Sequence, residues 1–303
     1  MTTLEINIKS RVQIKKYVSL FLELAKIRII FFVAVSTSIG FILASGNLIT
    51  GMFLPTFGVF LLAGGSSALN HYQEREYDAL MFRTKNRPIP SGEISNSTAL
   101  IFAAFLILTG SAVIYLSSNL TAWILGVIAL IWYNLIYTPL KRINSLAVIP
   151  GSVIGAIPPV IGWAATGRSI MEPEILALAL FFFIWQIPHF WLLLLIHGED
   201  YERAGYPSLT SVFDKSQLSR ITYIWILALA ISSLLIPLFS ISSNIITGII
   251  LLFVGAYLAY SSRIILKNFS SVTVIRKSFM LINIYVLFVV ILLTIDKLIL
   301  TVI

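Results

Sequence analysis

Asn70, Glu74 and Asp78 follow one another at i, i+4 and i+8, and Arg83, Lys85 and Arg87 come directly after them. On a helix that spacing stacks three oxygen donors along one face. Such a stripe suits Mg2+, which takes one or two carboxylates from a protein and completes its shell with water and phosphate oxygens. The bases supply the complementary half: Arg grips phosphate through a planar fork and Lys adds a point charge. Pro88-Ile89-Pro90-Ser91-Gly92 then forces a turn. A metal-bound diphosphate is the ligand that this order of acid and base fits. Two plainer explanations compete with it. One is a solvated interfacial helix with local ion pairs, such as Glu74 and Glu76 beside Arg75; the other is basic residues set there by membrane topology alone.

A second acidic group, Glu199, Asp200 and Glu202, lies in His197-Gly198-Glu199-Asp200-Tyr201-Glu202-Arg203. Two acid groups on one membrane face can hold two Mg2+, one on each side of a diphosphate, and so stabilise its departure. Asp200 is the preferred ligand of this group, with Glu199 and Glu202 as further candidates; a solvated loop acid is the alternative. The chain has no cysteine, so disulfides, thiolate metal sites and cysteine nucleophiles are excluded. A metal must be held by oxygen or by His71, His189 and His197.

The elements that position these residues are membrane helices. Of 303 residues, 58% are hydrophobic and 11% charged, with a mean hydropathy of +0.95. Apolar runs near 27-45, 52-70, 99-117, 121-138, 146-165, 175-196, 221-241, 244-262 and 279-298 each approach the ~20 residues that a bilayer crossing needs. With the N-terminus inside, 19 of the 21 Lys and Arg residues fall on the inner side, and only Arg168 and Lys297 fall outside. Lys and Arg accumulate on the cytoplasmic side, and the links at 46-51, 118-120 and 242-243 carry no charge. The expected fold is therefore all-α: a polytopic bundle of nine transmembrane helices around a central cavity, N-terminus cytoplasmic and C-terminus outside. Residues 1-303 read as one transmembrane domain, with a cytoplasmic leader over 1-18 and polar cytoplasmic loops near 71-98 and 197-220. The first apolar run is span-length and follows a charged leader, which argues against a cleaved signal peptide. The net charge of +8 is explained by topology and anionic headgroups, so nucleic acid is not expected as a partner and the lipid bilayer is.

The two polar loops lie four helices apart, a weak hint of a duplicated four-helix unit, and each begins in a pattern that continues helically from the membrane. The fifth span, from Ile149-Pro150-Gly151 to Gly162-Trp163, is rich in helix breakers, as expected either of a cavity wall or of close packing by small residues. The sixth carries Trp185-Gln186-Ile187-Pro188-His189-Phe190 deep in an apolar run, where polar groups are costly and commonly serve a site. His189 there is either a contact to a porphyrin or a developing cation, or a satisfied structural histidine. Tyr133, Asn134 and Tyr137 in the fourth span are comparable candidates, with aromatic faces able to stabilise a cation.

The stretch from Asn70-His71-Tyr72-Gln73-Glu74 through Asp78, Met81, Arg83-Thr84 and Arg87-Pro88 to Gly92 resembles the first aspartate-rich motif of the UbiA-type intramembrane prenyltransferases. Further matches are Tyr137-Thr138 with Leu140-Lys141-Arg142, Gly155 to Pro159 with Gly162-Trp163, Trp185-Gln186 with Pro188-His189-Phe190, and Asp200-Tyr201 with Ala204-Gly205. Together they resemble the haem-farnesylating branch of that family, over residues 26 to about 213. Lys26 and Arg28 are similar to the basic opening of its first helix, although Ile27 stands where proline is usual. Glu74 replaces the usual aspartate, and Tyr206 to Thr210 depart from the usual methionine and proline. The resemblance implies transfer of a farnesyl group from farnesyl diphosphate to a vinyl group of haem B with addition of water, assisted by Mg2+. It also implies a multi-pass protein of the cell membrane, with the active site toward the cytoplasm. Its implied catalytic set is Asn70, Glu74, Asp78, Arg83, Lys85, Arg87, Tyr137, Lys141 and Asp200. Metal ligands would be Asn70, Glu74, Asp78, Glu199 and Asp200, and substrate contacts Lys26, Asn134, Trp185, Gln186, His189 and Tyr201. Haem A synthase or terminal-oxidase assembly factors are the implied protein partners. A prenyltransferase for a quinone precursor or other lipid acceptor is the alternative; a transporter or a non-catalytic scaffold leaves the ordered acids and bases unexplained.

Overall fold

The computed structural model describes residues 3–239, 241 and 244–300. Among the described residues every regular element is helical, and nine helices are long and apolar enough to cross a membrane. A helix α1 (Thr3–Leu24) precedes them. The spans are built on α2 (Ile27–Ser45), α3 (Phe53–Leu80), α4 (Asn96–Ser117), α5 (Leu120–Ile131, within the span Leu120–Leu140), α6 (Val153–Ala165, within the span Val148–Ala165), α7 (Pro173–Arg203), α8 (Lys215–Leu238), α9 (Ile245–Ser262) and α10 (Val272–Leu300). Each agrees with an apolar run in the sequence. The first two leader residues and the uncharged link at 242-243 lie outside the described residues.

Two helices overrun their apolar segments. α3 continues about ten residues past residue 70, and α7 continues through His197 to Arg203. The overruns consist largely of good helix formers such as Gln73, Glu74, Arg75 and Glu202, so the helix persists into the polar zone and carries the acids with it. Side-chain oxygens cap several helix starts: Ser95 for α4, Asn119 for α5, Asp214 for α8 within a capping box completed by Gln217, and Asn244 for α9.

Packing relies on glycine where backbones cross. Its span window is 56% buried, the largest share among the nine, so α6 faces inward as its breakers suggest. It lies against α2 so closely that a Cβ on Gly162 would stand 1.9 Å from the Thr37 carbonyl oxygen, and one on Gly40 would stand 1.9 Å from that of Pro159. Small-residue packing is thus a main reason for the breakers in α6. Gly162→Ala must push the two helices apart and is expected to cost about 3 kcal/mol, the upper end of overpacking penalties. Gly248→Ala, where an added Cβ meets nothing within 4 Å, serves as control and leaves stability unchanged. Thermal unfolding of the two variants in one detergent measures the difference.

An apolar cleft of about 440 Å³ opens on the flank between α1, α2, α3 and α4, lined by Phe21, Ala25, Ile30, Phe60, Phe102 and Leu106 among others. The central space at the acid-bearing end of the bundle is occupied differently, by ion pairs.

Candidate active site

The i, i+4, i+8 stripe of α3 points inward: Asn70, Glu74 and Asp78 are 1%, 5% and 1% exposed. Acids so enclosed require partners, and each has one. After α3 ends at Met81 the chain doubles back, with the Thr84 hydroxyl donating to the Asp78 carbonyl at 2.9 Å and Arg87 N–H to the Thr84 carbonyl at 2.9 Å. This turn lays Arg87 over Asp78, where one guanidinium nitrogen reaches both carboxylate oxygens, at 2.8 and 2.7 Å. Pro88, Pro90 and Gly92 (φ +76°) complete the return to α4.

The partner of Glu74 comes from α5. Pro139 has no N–H for the carbonyl one turn back, and the helix accommodates it in a π-helical turn, Trp132–Tyr137, followed by the short Thr138–Leu140 turn. Single π turns of this kind are frequent at functional sites. Here the turn brings Lys141 onto Glu74 as an ion pair and lets the Thr138 hydroxyl accept from Asn70 Nδ2 at 3.0 Å. From the other side Lys26 Nζ donates to Asn70 Oδ1 at 3.0 Å. Lys26 itself adopts φ +52°, the only positive φ among the described non-glycine residues, at the tight joint between α1 and α2. Burial, and next the Arg87 charge, push its ammonium down to about 7, whereas the charge of Glu74 pulls the other way.

Asn134, which the resemblance sets among substrate contacts, joins the π turn to α3 through its amide. Its Oδ1 accepts from the Ser66 hydroxyl (2.6 Å), its Nδ2 donates to the Ser66 carbonyl (3.0 Å) and to Gln73 Oε1 (3.1 Å), and Gln73 Nε2 donates back to its carbonyl (3.0 Å). Arg142 adds a bond to the Gln73 carbonyl and lies over the Tyr77 ring. Tyr133 and Tyr137 stack on each other at 5.9 Å, and Lys141 sits 5.6 Å above Tyr137.

The second polar loop does meet the first, through one residue. Asp200 accepts from the backbone N–H of Phe82 at 3.1 Å and of Arg83 at 3.2 Å, one amide to each carboxylate oxygen. Its place is therefore that of a clasp on the turn that delivers Arg87. Glu199 is exposed, and Glu202 is exposed and bonded by the Thr210 hydroxyl, so neither is brought to the acid stripe. Arg83 and Lys85 are exposed as well, Lys85 over the face of Phe82. Among the described residues no three acidic or histidine side chains converge in a metal-binding arrangement. Asp78, Glu74 and Asp200 are held by Arg87, by Lys141 and by two backbone amides respectively. Asp200→Ala frees the turn from its clasp and is expected to raise KM for the diphosphate anticipated from the sequence about tenfold, with a smaller change in kcat. Steady-state kinetics on detergent-solubilised protein measures this split.

One residue here escaped sequence reasoning. Tyr206 is 5% exposed, 4.7 Å from the Tyr77 ring and 5.8 Å from Tyr201, with Lys141 5.7 Å above it. Its hydroxyl is buried without a partner, and burial followed by the charge of Glu74 pushes it well above the usual phenol range. Only its place beside Ala204-Gly205 could have drawn attention to it. A separate cluster lies deeper in the bundle. Gln186 packs onto Gly155, where a Cβ would stand 2.4 Å from its amide nitrogen, and His189 bonds Asn283 of α10 and packs against Trp185 and Phe279.

The oxygen donors of α3 fit Mg2+. Glu74 Oε1 is buried with no hydrogen bond beyond its ion pair, Asn70 Oδ1 and the two oxygens of Asp78 lie about one turn to either side of it on the same face, and the set is hard oxygen throughout.

The chain matches the UbiA prenyltransferase family over residues 33–295. A protein named protoheme IX farnesyltransferase from Geobacter sulfurreducens is 43% identical over 190 residues, 63% of this chain and 70% of that protein. Another of the same name, from Oleidesulfovibrio alaskensis, is 31% identical over 277 residues, 91% and 96% of the two chains. Among solved structures, that of a digeranylgeranylglyceryl phosphate synthase superposes with a TM-score of 0.76 at 20% identity, covering 93% of this chain and 99% of the other. A UbiA homologue from Archaeoglobus fulgidus bound to GPP and Mg2+ superposes at 0.60 and 13% identity, covering 90% and 99%. Family match, relatives and helical architecture agree: this chain belongs to the UbiA prenyltransferase family of membrane enzymes.

Proposed function

We propose that this protein transfers a farnesyl group from farnesyl diphosphate to a vinyl group of haem B, with addition of water, giving the hydroxyethylfarnesyl side chain of haem O. The observation that carries the transfer chemistry is the buried network in which Asp78 meets Arg87, Glu74 meets Lys141, and Asn70 meets Lys26. The names of the relatives support haem as acceptor.

Asn70, Glu74 and Asp78 would hold Mg2+, which when bound draws negative charge from the departing diphosphate. Arg87, Lys141 and Lys26 turn from their carboxylate and amide partners to phosphate oxygens, so that fixed positive charge lies where negative charge grows as the C1–O bond breaks. Around this point Tyr137, Tyr201 and Tyr206 present aromatic faces that suit an allylic cation and exclude water. The vinyl carbon attacks farnesyl C1, water captures the cation left beside the pyrrole ring, and the proton released passes to diphosphate or solvent. No protein nucleophile takes part, in keeping with the absence of cysteine.

The charge distribution of the links supports a cytoplasmic N-terminus and cytoplasmic polar loops, in a reading that takes residues 1-303 as a single domain of the cell membrane. Haem B and farnesyl diphosphate, both greasy with charged ends, would enter from the bilayer. Haem A synthase and terminal-oxidase assembly factors are the proteins such a product would be handed to.

Purified protein with haem B, farnesyl diphosphate and Mg2+ is expected to release diphosphate and yield a haem heavier by one farnesyl group and one hydroxyl group. EDTA stops this and added Mg2+ restores it. Activity confined to an aromatic acid or another lipid acceptor would overturn the haem assignment while leaving the diphosphate site intact.

A further inference from the structure

His189 lies on the same face of α7 as Asp200. The two are eleven residues apart, about three turns and roughly 16 Å along the axis, with only ~20° between them around it. Asp200 faces the turn that carries Arg87, and His189 lies about three turns deeper along α7, against Phe279 and Asn283 of α10. Its ring is tightly oriented, with Trp185 at 5.1 Å, Phe190 at 5.4 Å and Phe279 at 4.7 Å.

The tautomer of this histidine is determined by its neighbours. His189 Nδ1 is 2.9 Å from Asn283 Oδ1, and the other half of the Asn283 amide, Nδ2, donates to the Phe279 carbonyl at 2.6 Å. That second bond fixes which end of the amide faces the ring. Asn283 therefore presents an acceptor, Nδ1 carries the proton, and Nε2 keeps its lone pair. No hydrogen bond engages Nε2 among the described residues, and unlike the indole N–H of Trp185 it is not sealed off. A bond between α7 and α10 would account for the His189–Asn283 contact, but it leaves open why the second nitrogen of an intramembrane histidine stays bare and accessible. A ring with one N–H held by an oxygen acceptor and the other nitrogen free is the arrangement that metal-ligating histidines adopt.

We propose that His189 Nε2 is an axial ligand to the iron of the acceptor metalloporphyrin, and that Asn283 is a positioning residue that holds the imidazole in the ligating tautomer. The proposal rests on the haem reading above and specifies how the acceptor is held. It gives the reaction a register: iron anchored deep on α7 and α10, a porphyrin edge directed up the Asp200 face toward the diphosphate.

Resonance Raman spectroscopy of the full-length protein in detergent, loaded with ferrous haem B, tests this directly. Wild type is expected to show an iron–histidine stretching band. His189→Ala loses it and recovers an iron–nitrogen band on addition of imidazole. His189→Gln retains a donor to Asn283 and also lacks the band, which separates ligation from helix packing; thermal unfolding confirms that the variants are folded. Asn283→Leu keeps the band but shifts it to lower frequency and weakens haem binding about tenfold, as loss of the partner on a ligand's second nitrogen does. An unchanged band in His189→Gln overturns iron ligation and leaves haem farnesylation standing. Wild type that binds no haem yet prenylates another acceptor overturns both.

Discussion

Asp78→Asn is expected to lower turnover by roughly 10³-fold, about 4 kcal/mol in the barrier, while the protein still inserts and folds. The change removes one negative charge and leaves shape and hydrogen-bonding capacity nearly intact. Arg87 keeps a neutral acceptor in place of the two carboxylate oxygens it now spans at 2.8 and 2.7 Å. Deleting one partner of a buried pair costs about 3–5 kcal/mol in general. Here the loss falls below that range, because the Asn amide still accepts and the Arg87 side chain is 19% exposed. The catalytic loss exceeds the structural one because a carboxylate that gathers Mg2+ beside a diphosphate has no neutral substitute. Diphosphate release under saturating Mg2+, with thermal unfolding of the same preparation, separates the two quantities. Normal Mg2+-dependent turnover in this variant sinks the role of Asp78.

The second large effect concerns Lys141. In Lys141→Met the Glu74 carboxylate, 5% exposed, loses the cation it is paired with and stays buried. A destabilisation of about 3–5 kcal/mol is expected, the cost of an uncompensated buried charge. The double variant Glu74→Gln, Lys141→Met removes both charges and recovers most of that stability, so the two substitutions couple by about 1–3 kcal/mol. Activity is expected to behave otherwise: both variants remain inactive, because in the proposed mechanism the acid serves the metal and the base serves the phosphate. Additive losses in stability, or recovery of turnover in the double variant, would contradict the shared role.

How much of this was legible in the sequence follows from the range of the forces involved. Nine spans, and the overruns of α3 and α7, follow from hydropathy and helix periodicity, which are local. The i, i+4, i+8 stripe is local too, and the structure buries all three of its members. The pairings that neutralise the stripe are not local. Lys141 stands 67 residues from Glu74, and the π turn that delivers it arises from a proline whose effect on register cannot be read as a period. Neighbouring residues divide by one helical step: Asp200 turns inward to two amides while Glu199, a hundred degrees round α7, stands exposed. In the turn after α3, Arg87 reaches the acid while Arg83 and Lys85 do not, because Thr84 bonds the Asp78 carbonyl and reverses the chain at that point. Asn134 and Tyr206 mark the limits in opposite directions. Asn134, a polar residue at membrane depth, joins two segments through partners far away in the chain, which no period reveals; Tyr206 stands at the site with its hydroxyl unpaired, in a turn that stood out only as a departure from the resembled motif.

The most direct measurement is a structure of the full-length protein with Mg2+ and a non-ionising thiolo analogue of farnesyl diphosphate. The account predicts the diphosphate between the α3 stripe and the bases, with Mg2+ on Glu74 and Asp78 and with Arg87 and Lys141 swung from these carboxylates onto phosphate oxygens. A diphosphate bound elsewhere, with the Asp78–Arg87 and Glu74–Lys141 pairs unbroken, would contradict it.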